Sequence, residues 1–399
     1  VVLHELSHMW FGNLVTMRWW NDLWLNESFA TWAATTAAVD TGLFPEGWTT
    51  FAVDDKSSGA MQDQLPTSHP IVAVINDLED VEVNFDAITY DKGAGVLKQL
   101  VAWVGREPFL KGVGAYLRAH AHGNATLHDL LAQLERASGR PLAKWSMQWL
   151  ETAGINTLHV EIETEVDASG PGRTETITRA TVVQSAPAGG EMLRPHRIAI
   201  GAYDLDDEGA LRRTERIELD VVGARTEVSA LVGLPRPALV LPNDDDLTFA
   251  SIRLDAHSLL TVVGHLRGLA DPLARAIIWG SVWDAVRQGE LPARDYIQLA
   301  LRHLDAETQS GTRREVLTAL ATAVHSYTAE ASLAETRERV GDALWDFTRR
   351  AAVGSDAQLQ FMLAFTDLAA TAAHADALAM LLDGSKPVPG ITVDTELRW

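Results

Sequence analysis

Cysteine is missing from this 399-residue chain, and its absence excludes two kinds of site. No disulfide framework can form, and no metal ion can be held by thiolates. Histidines and carboxylates are therefore the side chains left to bind a metal. A chain without cysteine is also compatible with a reducing cytoplasm.

Positive charge is scarce, with 33 Lys and Arg against 54 Asp and Glu, for a formal net charge of -21. Nucleic acids and anionic membranes would repel such a chain, so we expect neither as a partner. Long hydrophobic runs are also absent: the apolar stretch 270–286 is broken by Asp271, Arg275 and Asp284. We therefore predict no membrane span. The remaining composition, 47% hydrophobic and 22% charged, is typical of a soluble globular protein with two or three domains.

What the chain does contain is a compact set of metal-binding residue types at its start. His4 and His8 lie four residues apart, so on a helix both imidazoles project from one face and reach one ion. Glu27 is the natural third ligand. A His, His and Glu set leaves the fourth tetrahedral position of Zn²⁺ open for water, which is typical of a catalytic site. Glu5 is placed to act on that water.

The residues around this pattern support it, because H-E-x-x-H alone also occurs by chance on amphipathic helices. Gly12-Asn13 predicts the end of the first helix. The eighteen residues between His8 and Glu27 leave room for a loop and the start of a second helix, which returns a carboxylate to the metal.

Two blocks of the sequence resemble the zinc aminopeptidase N family. The first consists of HELSHMWFGNLVT (4–16) and WNDLWLNE (20–27), and the second of SHPI (68–71) and FDAITYDKGA (85–94). The resemblance implies zinc bound by His4, His8 and Glu27, with Glu5 as general base. It also implies that Tyr90, in the family's Tyr-x-Lys-Gly motif, donates a hydrogen bond to the oxyanion. Ser28 departs from the family, which more often has Gly at that position.

The family also has features that this sequence lacks. Its Gly-x-Met-Glu-Asn motif, which binds the substrate's α-amino group, and its N-terminal domain are not found here. The chain opens at Val1-Val2-Leu3, inside the helix of the metal site. We therefore expect a fragment, truncated also in its C-terminal helical domain, that is weakly active or inactive by itself.

The predicted fold class is multidomain α+β, and the resemblance assigns each part a place. Residues 1–153 are predicted to form the helical half of a thermolysin-like catalytic domain, including a helix over Leu127–Ser138 capped by Thr126 and Asp129. Residues 154–246 are predicted to form a small β-sandwich, and residues 247–399 a truncated, solenoid-like α-helical domain.

Periodicity locates the elements of the last two parts. Period-two patterns predict strands at 158–163, 177–183, 197–203, 217–221 and 226–231, with a turn-rich stretch at 168–172. Helical patterns occur near 255–267, 271–287, 293–304, 312–327, 331–350 and 356–383, the last expected to break in two.

A second histidine cluster, His120, His122 and His128, could suggest another metal site. A His-x-His pair on a helix points in diverging directions, so we interpret these residues as polar surface or capping groups.

We predict a zinc metallopeptidase that hydrolyses N-terminal residues from peptides and binds one Zn²⁺ per chain. Two alternatives remain: an epoxide hydrolase relative that uses the same zinc site, and a non-catalytic helical interaction module with a vestigial site. A vestigial site is disfavoured because the sequence keeps every predicted site residue: His4, Glu5, His8, Glu27 and Tyr90. A glycosylation sequon at Asn26-Glu27-Ser28 would place a glycan inside the active site, so we expect a cytoplasmic location.

Overall fold

The structure is a computed structural model that describes residues 1–167, 174–187 and 190–398. The chain divides into two compact units, the first ending at Ser281 and the second beginning at Val282. The predicted turn at 168–172 lies outside the described residues. The three predicted domain ranges stay predictions.

The first 150 residues are mainly helical. Their helices are α1 (Val2–Ser7), α2 (Trp24–Asp40), α3 (Gly47–Val53), α4 (Asp55–Asp63), α5 (Leu78–Val83), a π-helix (Ile88–Lys92), α6 (Gly93–Val104), α7 (Arg106–His120), α8 (Leu127–Ser138) and α9 (Ala143–Leu150). Two short strands, β1 (Val15–Met17) and β2 (Gly123–Ala125), pair in parallel. The predicted helix over Leu127–Ser138 is confirmed, because Thr126 and Asp129 form a reciprocal capping box at its start.

One apolar core holds these helices together. Phe29 of α2 stacks on Phe11 at 4.2 Å between ring centroids, and Trp32 meets Phe109 edge-on at 5.0 Å. Trp24 at the start of α2 is also fully buried. This packing fixes α2, and therefore the position of Glu27, against the rest of the core.

Two sheets follow the helices. Their strands are β3 (Thr157–Asp167), β4 (Thr174–Ser185), β5 (His196–Leu205), β6 (Leu211–Val221), β7 (Arg225–Glu227), β8 (Leu239–Pro242) and β9 (Ser251–Arg253). The first sheet has the order β7-β4-β3-β9 and the second β6-β5-β8.

The strand predictions are confirmed for β3 to β6 and need one correction. The strand expected over 226–231 is only Arg225–Glu227, because a 3₁₀ turn at Ser229–Leu231 ends it. Strands β8 and β9 were not predicted. Each has four residues or fewer, too short to show a period of two.

The rest of the chain is helical, as predicted. Its helices are α10 (Ala256–His265), α11 (Pro272–Arg287), α12 (Ala293–His303), α13 (Ser310–Ser326), α14 (Glu330–Arg350), α15 (Asp356–Leu368), α16 (Ala372–Leu382) and α17 (Thr395–Arg398). The expected break within 356–383 falls at residues 369–371, where Thr371 caps α16. The mixed α+β fold class is confirmed. Among the described residues, no helix is both long and apolar enough to span a membrane.

Candidate metal centre

Helix α1 carries the first two predicted ligands. His4 lies in the middle of this helix, and His8 forms its C-cap with helical backbone angles. The helix therefore brings both imidazoles to one side, with ring centroids 4.8 Å apart and ring planes at 83°. The helix ends at Ser7, five residues before Gly12, whose φ of +128° turns the chain away.

The third predicted ligand comes from α2. Glu27 lies in the first turn of this helix, and its Oε2 is 3.4 Å from His4 Nε2 and 3.5 Å from His8 Nε2. The three side chains are between 14% and 23% exposed, so the cluster is accessible without being fully solvated. One carboxylate oxygen thus faces two imidazole nitrogens.

Hydrogen bonds on the far side of each ring decide which nitrogen faces Glu27. His8 Nδ1 lies 3.0 Å from the carbonyl oxygen of Phe11, which can only accept, so Nδ1 carries the proton. His4 Nδ1 shares a hydrogen bond of 3.3 Å with the Thr31 hydroxyl. Because His8 carries its proton on Nδ1, its Nε2 is unprotonated and the Nε2 lone pair is free to bind a metal.

The spacing of these atoms fits Zn²⁺. Zinc binds nitrogen and carboxylate oxygen at about 2.0–2.1 Å, so tetrahedral geometry places neighbouring ligand atoms about 3.3–3.4 Å apart. The two separations from Glu27 Oε2, 3.4 and 3.5 Å, match this edge length. In the part of the chain that the structure describes, His4, His8 and Glu27 form the one group of three or more potential metal ligands whose donor atoms lie within 4.8 Å of one another.

The two residues predicted to be catalytic lie beside this cluster. Glu5 is an exposed residue of α1, between the two histidines. The ring of Tyr90 stacks on that of His4, with centroids 6.2 Å apart and planes at 22°. Burial, with the negative charges of Glu27 and Glu5, raises the pKa of Tyr90 above its ordinary value. The phenol therefore keeps its proton and can act as a hydrogen-bond donor.

Tyr90 is held by the π-helix, whose start is capped by Asp86. Asp86 Oδ1 accepts from the backbone N–H groups of Ile88 and Thr89 at 3.0 and 3.2 Å. Its other oxygen binds His69 Nε2 at 2.9 Å and also the side-chain amide of Gln62. The role of the SHPI block is thus visible: His69 anchors the cap of the helix that carries Tyr90.

Sequence reasoning assigned no role to the lysine of the Tyr-x-Lys-Gly motif. Lys92 and Asp63 are both completely buried, with Nζ 2.9 Å from Oδ1. Asp63 also accepts from the Ser68 hydroxyl at 2.7 Å and the Gly154 N–H at 2.8 Å. The available signal was a single lysine preceding the apolar stretch Gly93–Leu97, which predicts a buried charge in need of a partner.

The second histidine cluster is not gathered in the structure. His122 and His128 are exposed, and His120 packs its ring against Tyr116 with centroids 5.5 Å apart. The three residues form no metal-binding group among the described residues.

Comparisons with known proteins cover both ends of the chain. The model of the peptidase family M1 domain matches residues 1–149, and that of the ERAP1-like C-terminal domain matches residues 239–399. The first match contains all five predicted site residues.

Individual relatives agree. Aminopeptidase N of Streptomyces lividans is 51% identical over 406 residues, which include the whole of this chain and 47% of the relative. Aminopeptidase M1 of Arabidopsis thaliana is 39% identical over 51% of this chain and 22% of the relative. The chain thus spans about half the length of the Streptomyces protein and less of the plant one.

Proposed function

Because the chain belongs to the aminopeptidase N family of M1 peptidases, we propose that the full-length protein is a zinc metallo-aminopeptidase. Its substrates are peptides, from which it removes N-terminal residues, and each chain holds one Zn²⁺. The observation that carries this proposal is the position of Glu27 Oε2, which lies 3.4 Å from His4 Nε2 and 3.5 Å from His8 Nε2. The exposed Glu5 lies between these two histidines on α1. The cytoplasmic location stays a prediction.

His4, His8 and Glu27 would hold the metal. When bound there, Zn²⁺ polarises the scissile carbonyl and lowers the pKa of a bound water to about 7. The remaining chemistry belongs to side chains of this protein. Glu5 accepts a proton from the attacking water and passes it to the departing amine, so one carboxylate serves first as base and then as acid.

Tyr90 acts on the other side of the reacting group. As negative charge develops on the former carbonyl oxygen, the phenol donates a hydrogen bond to it. Two features prepare Tyr90 for this role. Its pKa is raised, so the proton stays on the phenol, and its helix is capped by Asp86, so the donor needs little reorganisation.

Zinc content tests the metal site. We expect about one zinc per chain by elemental analysis of the purified protein, lost in His4→Ala and kept in His128→Ala, an exposed histidine outside the cluster. Zinc retained by His4→Ala would contradict the ligand assignment. The absence of zinc from both variants and the unsubstituted chain would mean that residues beyond this chain are needed to build the site.

Hydrolysis of aminoacyl-anilides by the full-length protein tests the activity separately. We expect turnover that disappears when zinc is removed and returns when it is restored. A protein that holds zinc but opens epoxides and leaves anilides intact would instead support the epoxide hydrolase alternative.

A further inference from the structure

A buried hydrogen bond joins α2, which carries Glu27, to the π-helix, which carries Tyr90. The hydroxyl of Ser28 donates to the backbone carbonyl of Thr89 at 2.6 Å, and Ser28 is completely buried. Ser28 directly follows Glu27 on α2, and Thr89 directly precedes Tyr90 on the π-helix. The contact therefore links the backbone at the third metal ligand to the backbone at the oxyanion donor, across 61 positions of sequence.

Gly93 makes room for this contact. A Cβ at position 93 would lie 2.0 Å from the Ser28 hydroxyl oxygen and 3.0 Å from its Cβ, closer than van der Waals contact allows. The next atom, the carbonyl oxygen of Ile88, would lie at an ordinary 3.6 Å. In this chain, the Ser28 side chain of α2 thus occupies the space that a side chain at position 93 would need.

We propose that Ser28 is a positioning residue that sets the placement of Tyr90 relative to Glu27, with Gly93 as its steric counterpart. This inference rests on the proposed function, in which Tyr90 must meet a developing oxyanion beside the metal ligands. A hydroxyl-to-carbonyl bond is directional, so it fixes the approach of the two helices more tightly than apolar contact would. Misplacement of a catalytic donor by about 1 Å can lower a rate by about 10²-fold.

The first test observes Tyr90 directly and needs neither zinc nor turnover. The chain has five tyrosines, so 3-fluorotyrosine labelling gives five fluorine signals, and the one lost in Tyr90→Phe identifies Tyr90. We expect Ser28→Ala to shift or broaden that signal. Ser281→Ala is the matched control, because Ser281 is also buried and donates to a backbone carbonyl, that of Ile252, at 2.7 Å. A Tyr90 signal unchanged in Ser28→Ala, or changed equally in the control, would overturn the proposal.

The second test uses the steric relation. Gly93→Ala should lower the melting temperature strongly in the unsubstituted chain, because Ser28 occupies the space, and much less in the Ser28→Gly background. The Tyr90 fluorine signal of the Ser28→Gly, Gly93→Ala double variant should resemble that of Ser28→Gly alone. Equal damage from Gly93→Ala in both backgrounds would refute the pairing of these residues.

Kinetics of the full-length protein provide the functional measurement. We expect Ser28→Ala to lower kcat for an aminoacyl-anilide by up to about 10²-fold with KM and zinc content unchanged, and Ser281→Ala to leave kcat unchanged. Equal losses in both variants would indicate a general effect of stability and overturn the proposal. If the full-length protein shows no turnover, the proposed function fails, while the fluorine measurements still decide whether Ser28 positions Tyr90.

Discussion

The buried ion pair of the Tyr-x-Lys-Gly motif gives a prediction about stability. In Lys92→Met the carboxylate of Asp63 stays completely buried without its 2.9 Å partner. Breaking a buried pair on one side typically costs about 3–5 kcal/mol, because an uncompensated charge remains. Asp63 keeps hydrogen bonds from Ser68 and Gly154, so we expect the lower end, about 3 kcal/mol. For a unit that ends at Ser281, an unfolding entropy of about 2.1 cal/mol/K per residue means that the melting temperature should fall by about 5 °C.

The double variant Lys92→Met, Asp63→Asn distinguishes the loss of a charge partner from the loss of packing. An asparagine oxygen at position 63 can still accept from Ser68 and Gly154, and neither position 63 nor position 92 then carries a charge. The buried guanidinium of Arg194 loses the attraction of Asp63 but keeps its hydrogen bonds to Asn156 and Thr152. Burial outweighs the attraction of Asp63 and lowers the pKa of Lys92 to about 8, so the pair is costly to hold even when intact. We therefore expect the double variant to recover most of the stability that Lys92→Met loses.

Differential scanning calorimetry of the transition of the first unit measures these effects. Arg179→Met is the control, because Arg179 pairs with Glu163 at 3.3 Å on the surface, where both side chains are more than half exposed. Such pairs contribute about 0–1 kcal/mol. The reasoning would be refuted if Lys92→Met melted like Arg179→Met, or if the double variant were no more stable than Lys92→Met.

Three further predictions concern the site. Glu5→Gln should keep zinc by elemental analysis but lower kcat of the full-length protein by about 10²- to 10⁴-fold, since the proton acceptor is lost; near-normal turnover would rule out Glu5 as base. Tyr90→Phe should lower kcat about 10²- to 10³-fold with zinc retained, and a change in KM alone would contradict an oxyanion role. Both nitrogens of His69 face acceptors, Asp86 at 2.9 Å and the Pro70 carbonyl at 2.8 Å, so the hydrogen bond to Asp86 raises the pKa of His69. The stability that protonated His69 contributes is complete below the unfolded pKa of about 6.5 and is lost as pH rises through the folded pKa. The melting temperature should therefore fall more steeply with rising pH in the unsubstituted chain than in His69→Gln.

The candidate ligands and several elements could be predicted from the sequence because they depend on local spacing. His4 and His8 share a helix face by virtue of four-residue separation alone. The Thr126 and Asp129 capping box, and the break near Thr371 between the last two long helices, are likewise properties of a few adjacent residues. The third candidate ligand, Glu27, was predicted from its motif, although only tertiary packing brings α2 against α1.

Other features were decided by the tertiary structure. Sequence analysis noted Ser28 only as a departure from a family pattern, and Lys92 only as a motif letter. Their partners, Thr89 and Asp63, are 61 and 29 residues away in the chain. Strands β8 and β9 were missed for a related reason, because each is defined by a neighbouring strand more than 30 residues away rather than by its own pattern. Periodicity and capping report on interactions within a few residues, whereas a buried hydroxyl, ion pair or short strand is stabilised by a group that only the folded chain brings near.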